Sequence, residues 1–245
     1  MHQLASARRI LLVSALLNVL TYTLIPVTAA TTGGVIAAWR TPGPMLRSFV
    51  QHFAAGVVVA AAAGELLPDV VHEKSLWAVV IGGALGVVVM LAVKQLGKNA
   101  SGSVSLMATV GVDVLIDGLI VGIGFAAGAK EGILLTIALT IELLFLSLSV
   151  SATLSQANVS HARVAIATLG IALLLPLGAA VGVVLLAGLS GTILAAFFAF
   201  GLVALLYLVI EELLVEAHEI PDNPLTTAIF FVGFLLLIVI EEMLQ

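Results

Sequence analysis

The sequence predicts an all-α polytopic membrane protein of eight transmembrane helices, organised as a 3+2+3 inverted repeat. Three observations carry this. Of 245 residues, 62% are hydrophobic and only 9% charged, with a mean hydropathy of +1.27. The chain divides into eight apolar blocks, each long enough to cross a bilayer core of about 30 Å. A short acidic motif recurs on two blocks that must run in opposite directions. Soluble domains are about 25% charged, and disordered chains combine low hydrophobicity with high net charge, so neither class fits. Lys+Arg total 9 against Asp+Glu 14, a net charge of -5 with no basic patch, which argues against nucleic-acid binding. The absence of cysteine excludes disulfides and thiolate metal sites.

The blocks fall at roughly 10–39, 45–67, 76–96, 104–128, 131–155, 163–188, 192–218 and 225–244. Span one follows Arg8-Arg9 and ends before Arg40-Thr41-Pro42-Gly43-Pro44. Span two stops at Asp69 to Ser75, and span three at Gly97 to Ser103. Ala129-Lys130-Glu131 separates spans four and five, Gln156 to Arg163 spans five and six. Gly188-Leu189-Ser190-Gly191 and Glu219 to Pro224 supply the last two breaks. No break is long enough to fold as a domain, so 1–245 reads as one membrane domain. The N-terminal run with Val27-Thr28-Ala29-Ala30 has some signal-peptide character. Its apolar stretch of about 30 residues exceeds the usual 7–15 of such a segment, which favours a first span. Orientation stays open. Arg8, Arg9, Lys74 and Lys130 fall on one side, and Arg40, Arg47, Lys94, Lys98 and Arg163 on the other.

Span two ends Glu65-Leu66-Leu67-Pro68-Asp69 and span seven ends Glu212-Leu213-Leu214-Val215-Glu216, each followed by a His-Glu pair (His72-Glu73, His218-Glu219). Similar sequence on oppositely directed helices suggests inverted-topology repeats, a common carrier architecture. Spans one to three would pair with six to eight, leaving four and five between them.

Acids are costly inside a bilayer, about 2.5–3.5 kcal/mol on insertion scales. Here Asp113 and Asp117 sit within span four, Glu142 in the middle of span five, Glu211 and Glu212 within span seven, and Glu65 toward one end of span two. Asp113 and Asp117 are i and i+4, so both carboxylates share one helix face and repel unless a cation or proton sits between them. The nine Lys and Arg all fall near breaks or span ends, which leaves these acids without an evident salt-bridge partner. A cation path lined by oxygen ligands is the functional reading; carboxyls held protonated by desolvation are the plain alternative.

Gly118, Gly122, Gly124 and Gly128 give span four a close-packing stripe. Pro176 breaks the ladder of span six and Pro68 that of span two. Thr136, Thr140, Ser147 and Ser151 give span five a polar edge that the same cavity would meet. The histidines at 2, 52, 72, 161 and 218 lie near termini, span ends or breaks, where solvated ends outnumber metal-capturing mouths.

At these residues the chain resembles the ZIP (Zrt/Irt-like) family of divalent-metal transporters, from about residue 45 onward. Glu65-Leu66-Leu67-Pro68-Asp69 is similar to that family's His-Leu-Leu-Pro-Glu run. Asp113 to Gly118 is similar to its His-Asn-x-Pro-Glu-Gly run, with Asp113 at the His and Asp117 at the Glu. Glu142 falls in the region of the second such motif, and Glu211-Glu212 stand at a His-Glu pair. The resemblance implies an eight-helix inverted-repeat fold with metal held between spans four and five and moved by alternating access or an elevator-like step. The chain departs from the family pattern in having Asp or Glu at every intramembrane histidine, Val114 at the Asn and Leu175 before the span-six proline. That leaves room for one cation rather than two.

The expectation is therefore a carrier of divalent cations, not an enzyme, with Asp113, Asp117 and Glu142 as central ligands and Glu65, Glu211 and Glu212 lining the path. The family argues for zinc or iron, with Mn²⁺, Co²⁺ and Cd²⁺ also in range, whereas oxygen-only ligation suits harder ions better. No prosthetic group is expected. The partners would be the cation and the lipid bilayer, with a homodimer allowed, in a plasma or inner membrane. A non-transporting metal sensor or subunit, and a carrier of protons or another cation, are the alternatives. No span offers a Ser-His pair or His-Glu-x-x-His for an intramembrane hydrolase.

Overall fold

The computed structural model describes residues 2–40, 42–98, 103–157, 159–186, 189, 191–221 and 223–244, without side chains for 2–11 and 103–105. Eight helical spans follow one another: α1 (His2–Trp39), α2 (Pro44–His72), α3 (Leu76–Lys98), α4 (Ser103–Ala127), α5 (Ala129–Gln156), α6 (His161–Leu186), α7 (Thr192–Ala217) and α8 (Pro224–Met243). Each is long and apolar enough to cross a membrane, so the protein is an all-α multi-pass membrane protein. The sequence boundaries hold within about two residues, with two exceptions: α1 starts at His2 rather than near residue 10, and α2 ends later than expected. α2 runs on through Pro68 to His72 rather than stopping at 67. Proline is tolerated there because the ladder first widens into a π turn, Ala62–Leu66, and Pro68 then falls at the start of the next α-helical stretch. In α6 the ladder is interrupted at Leu173, within one turn before Pro176. The breaks proposed at 99–102, 188 and 190, and the side chains of Arg8 and Arg9, lie outside the described residues.

Two four-helix groups result. One holds α1, α4, α5 and α6; the other holds α2, α3, α7 and α8. The most extensive seams are α4 on α6, α1 on α5, α2 on α8 and α3 on α7. Exchanging α1 with α6, α2 with α7, α3 with α8 and α4 with α5 converts the first seam into the second and the third into the fourth, as an inverted repeat requires. The sequence registers agree. The two π turns, Ala62–Leu66 and Val209–Leu213, begin 147 residues apart. Phe53 and Phe200 are equally separated, as are Gly86 and Gly233, and the carbonyl of each phenylalanine meets one of those glycines: Phe53 with Gly233, Phe200 with Gly86.

Lipid tails are as apolar as leucine, so helix association in a membrane depends on close packing rather than on burial of apolar surface. The seams show how. Gly56 lies against the Phe230 carbonyl and Gly233 against the Phe53 carbonyl, so that each helix of the α2–α8 pair uses a glycine where the other's backbone comes closest. Gly118 and Gly178 do the same reciprocally on α4 and α6, against Leu175 and Leu115. A Cβ at any of these four positions would overlap backbone.

α2 is the most buried span and α8 the least. The outer surface carries a broad belt of exposed Leu, Val and Ile. Trp39, at the end of α1, and Trp77, at the start of α3, are 78% and 72% exposed and mark opposite rims, where aromatic side chains prefer the headgroup level. The rim holding residues 40, 42–43, 159–160 and 218–221 is termed face A; the rim holding 73–75, Gly128 and the end of α8 is face B.

Candidate metal centre

Within the first group, α4 brings Asp113 and Asp117 to one face, one helical turn apart, and α5 brings Glu142 opposite them. One carboxylate oxygen from each lies within 4.8 Å of the others. The three residues are 3%, 1% and 2% exposed. Both oxygens of Asp113, Oδ2 of Asp117 and Oε2 of Glu142 accept no hydrogen bond among the described residues. The neighbouring apolar residues Val114, Leu139 and Leu143 are buried too, and α6 packs closely on α4 at Gly118. An unsatisfied buried polar atom costs about 1–3 kcal/mol and an unpaired charge more. Three carboxylates this close, with most of their oxygens unpaired, are chemically suited to a cation held by oxygen ligands alone.

The other sequence candidates separate. Glu212 sits in the second π turn, outside the triad itself but within electrostatic range of Asp113, Asp117 and Glu142. Glu211, its neighbour, points elsewhere and is ion-paired with Lys94 of α3. This corrects the expectation that the intramembrane acids lack basic partners and that Glu211 belongs with the metal ligands. The π turn holds both residues, and its wider hydrogen bonding re-aims the helix face locally. Pro68, whose ring would crowd the Gly64 carbonyl in an unbroken α-helix, accounts for the first π turn. Val215 stands at the equivalent place after the second, so proline does not account for that one.

Glu65 is 5% exposed but lies toward face B, away from the triad. Its neighbour Gly64 faces Glu241 of α8, a Cβ there standing 3.2 Å from Oε2. Glu241 in turn pairs with Lys130 at 3.0 Å.

Toward face A, Glu216 accepts hydrogen bonds from the Gln51 side-chain amide of α2 and, at 3.3 Å, from the Ser149 hydroxyl of α5. Arg47 and Glu219 pair at 3.7 Å just beyond. A cavity of about 130 Å³ between α2 and α5, lined among others by Pro42, Arg47, Gln51, Phe145 and Ser149, opens on this side. His52 is buried rather than a solvated end, donates from Nδ1 to the Ser48 carbonyl at 2.9 Å, and has its ring centroid 5.2 Å from that of His218.

The polar edge expected on α5 is mostly used up within the helix. Thr136, Thr140 and Ser147 donate to the carbonyls of Gly132, Thr136 and Leu144 at 2.6–2.7 Å. Ser151 is buried and its hydroxyl has no partner among the described residues. Gln51, Ser149, Lys130 and Glu241 carried no signal as site residues in the sequence. Each stands near the end of an apolar run, and each acquires meaning only from a partner at least 67 residues away. Comparison of the sequence with family models and with curated proteins finds no match to either.

Proposed function

We propose that the protein is a membrane carrier for a divalent cation, bound by Asp113, Asp117 and Glu142 and met by Glu212 from the second helix group. The single observation that carries this reading is the triad. Three carboxylates, buried inside a membrane domain, converge with most of their oxygens unpaired and with no cationic side chain bound to them among the described residues. Breaking a buried pair by removing one partner costs about 3–5 kcal/mol, so a permanently uncompensated cluster of this kind makes sense only if something else supplies positive charge. The motifs shared with ZIP transporters support the same reading, as does the inverted repeat, which offers equivalent routes to the two faces. Glu212 and Glu216 mark the route toward face A, Glu65 and Asp69 that toward face B.

Mn²⁺, Fe²⁺, Co²⁺, Zn²⁺ and Cd²⁺ are the cargo candidates. Without imidazole or thiolate at the centre, soft ions lose the advantage that sulfur and nitrogen ligands give them, and Mn²⁺ gains relative to Zn²⁺. A cell membrane, across which cells take up such ions, is the corresponding location. The test is thermal unfolding of the detergent-purified chain with each ion, followed by flux into vesicles. A ligand at a hundred times its Kd stabilises by about 2.7 kcal/mol. Stabilisation by a subset of ions, with saturable flux of the same ions, is the expected result. Binding without flux would make the protein a sensor or subunit instead; no effect of any ion would sink the metal reading.

A further inference from the structure

Resting on the carrier reading, a second inference concerns how the two faces are kept from opening together. We propose that the Lys130–Glu241 ion pair is a latch that closes the face-B route, so that the conformation described here opens toward face A.

The placement of the pair is what distinguishes it. Lys130 begins α5, in the helix group that holds the triad; Glu241 lies near the end of α8, in the other group. The bond, Nζ to Oε1 at 3.0 Å, therefore spans the boundary between groups that must shift relative to each other if the centre is to be exposed alternately. It also lies over the route. Gly64 leaves the space into which Glu241 reaches, and Glu65, the next residue, is in electrostatic range of both members of the pair.

The internal repeat sharpens the contrast. Offset by 147 residues, Glu241 corresponds to Lys94 and Gly64 to Glu211. Lys94 and Glu211 also pair, but α3 and α7 belong to the same group, so that bond is indifferent to movement between groups. One repeat thus keeps its ion pair within a group, and the other places an acid where the first has its lysine and directs it across the boundary. On face A the link from α5 to Glu216 is a neutral hydroxyl at 3.3 Å, beside a cavity between the groups. A charged strap on one face and a weak neutral contact on the other describe a molecule shut at B.

The natural absence of cysteine makes the test direct. E65C, introduced into the full chain, reports access from face B, and L148C, at the face-A cavity, reports access from the other side. Labelling with a water-soluble maleimide is timed on detergent-purified protein. Expected are slow labelling of E65C with the pair intact, an increase of at least about five-fold on adding Lys130→Gln or Glu241→Gln, and unchanged or slower labelling of L148C. The charge-reversed double variant, Lys130→Glu with Glu241→Lys, should return E65C to slow labelling, as should Lys130→Arg. Unaltered E65C labelling in both neutralised variants overturns the latch. So does equal acceleration of both reporters, which would mean general loosening. Labelling needs no metal, so failure of the latch and failure of the carrier reading are read from different experiments.

Discussion

Asp117 is where the cost of a buried carboxylate and the proposed cation binding are most directly set against each other. Replacing it with Asn keeps the shape and removes a charge that is desolvated and crowded by Glu142. Asp117→Asn should therefore be as stable as the wild type or more so without metal, and should lose the ion-dependent rise in unfolding temperature. A merely structural carboxylate would give the reverse: lower stability throughout. Because the ligands must be deprotonated to hold a cation, protons compete with metal for them. Ion-induced stabilisation should shrink as pH falls from neutral to acidic at fixed metal concentration. Lys94→Ala makes a separate point. It strands Glu211, and since the pair is about one-third exposed, the expected loss is small, below that of a fully buried pair. Lys94→Ala with Glu211→Ala should recover most of it in a double-variant cycle of chemical unfolding. The acids themselves were legible in the sequence, since an Asp or Glu inside an apolar run stands out against its cost. Which of two adjacent glutamates turns toward the triad rather than toward Lys94 was not, because that depends on a π turn, and no residue pattern in Val209–Leu213 announces one.

Helix packing offers a sharper contrast. Gly56 and Gly233 sit where α2 and α8 touch backbone to backbone, whereas Gly170 on α6 has nothing within 4 Å of its would-be Cβ. Gly233→Ala and Gly56→Ala should each cost about 1–3 kcal/mol, as overpacking does. Gly170→Ala should be neutral or stabilising by up to about 1 kcal/mol through helix propensity. Unfolding in detergent across the three variants checks the ranking; equal effects would show that glycine acts here through flexibility instead. The eight spans were legible because length and hydropathy set them directly. The glycine stripe of α4 was legible too, though not its partner: only the fold shows that Gly118 meets α6 and that Gly178 reciprocates. The span-five hydroxyls misled for a local reason. Thr and Ser in a helix can turn back to a carbonyl three or four residues earlier, and three of the four do so.

The whole molecule was only half visible beforehand. The Glu-Leu-Leu motif hinted at an inverted repeat, and the seams related by exchange of the halves bear it out. What a linear reading could not supply was the pairing across distance, such as Lys130 with Glu241, 111 residues apart, or Gln51 with Glu216, 165 apart. The first of these contacts joins the two helix groups, and the second ties α2 to α7 within one of them.

The four largest seams share a further property: each joins one of α1–α4 to one of α5–α8. Neither half owns a core. During synthesis the first four helices must then wait in the bilayer, Asp113 and Asp117 included, until the ribosome has delivered the rest. Assembly is deferred to the end of translation rather than built up helix by helix. A fragment ending at Gly128 should be degraded or protease-sensitive when made alone. Made together with a second fragment comprising 129–245, it should be rescued, because the cut falls in the one-residue joint between α4 and α5 and leaves all four seams to form between the fragments. The duplicated halves behave, in that sense, as an obligate heterodimer that happens to be written on one chain.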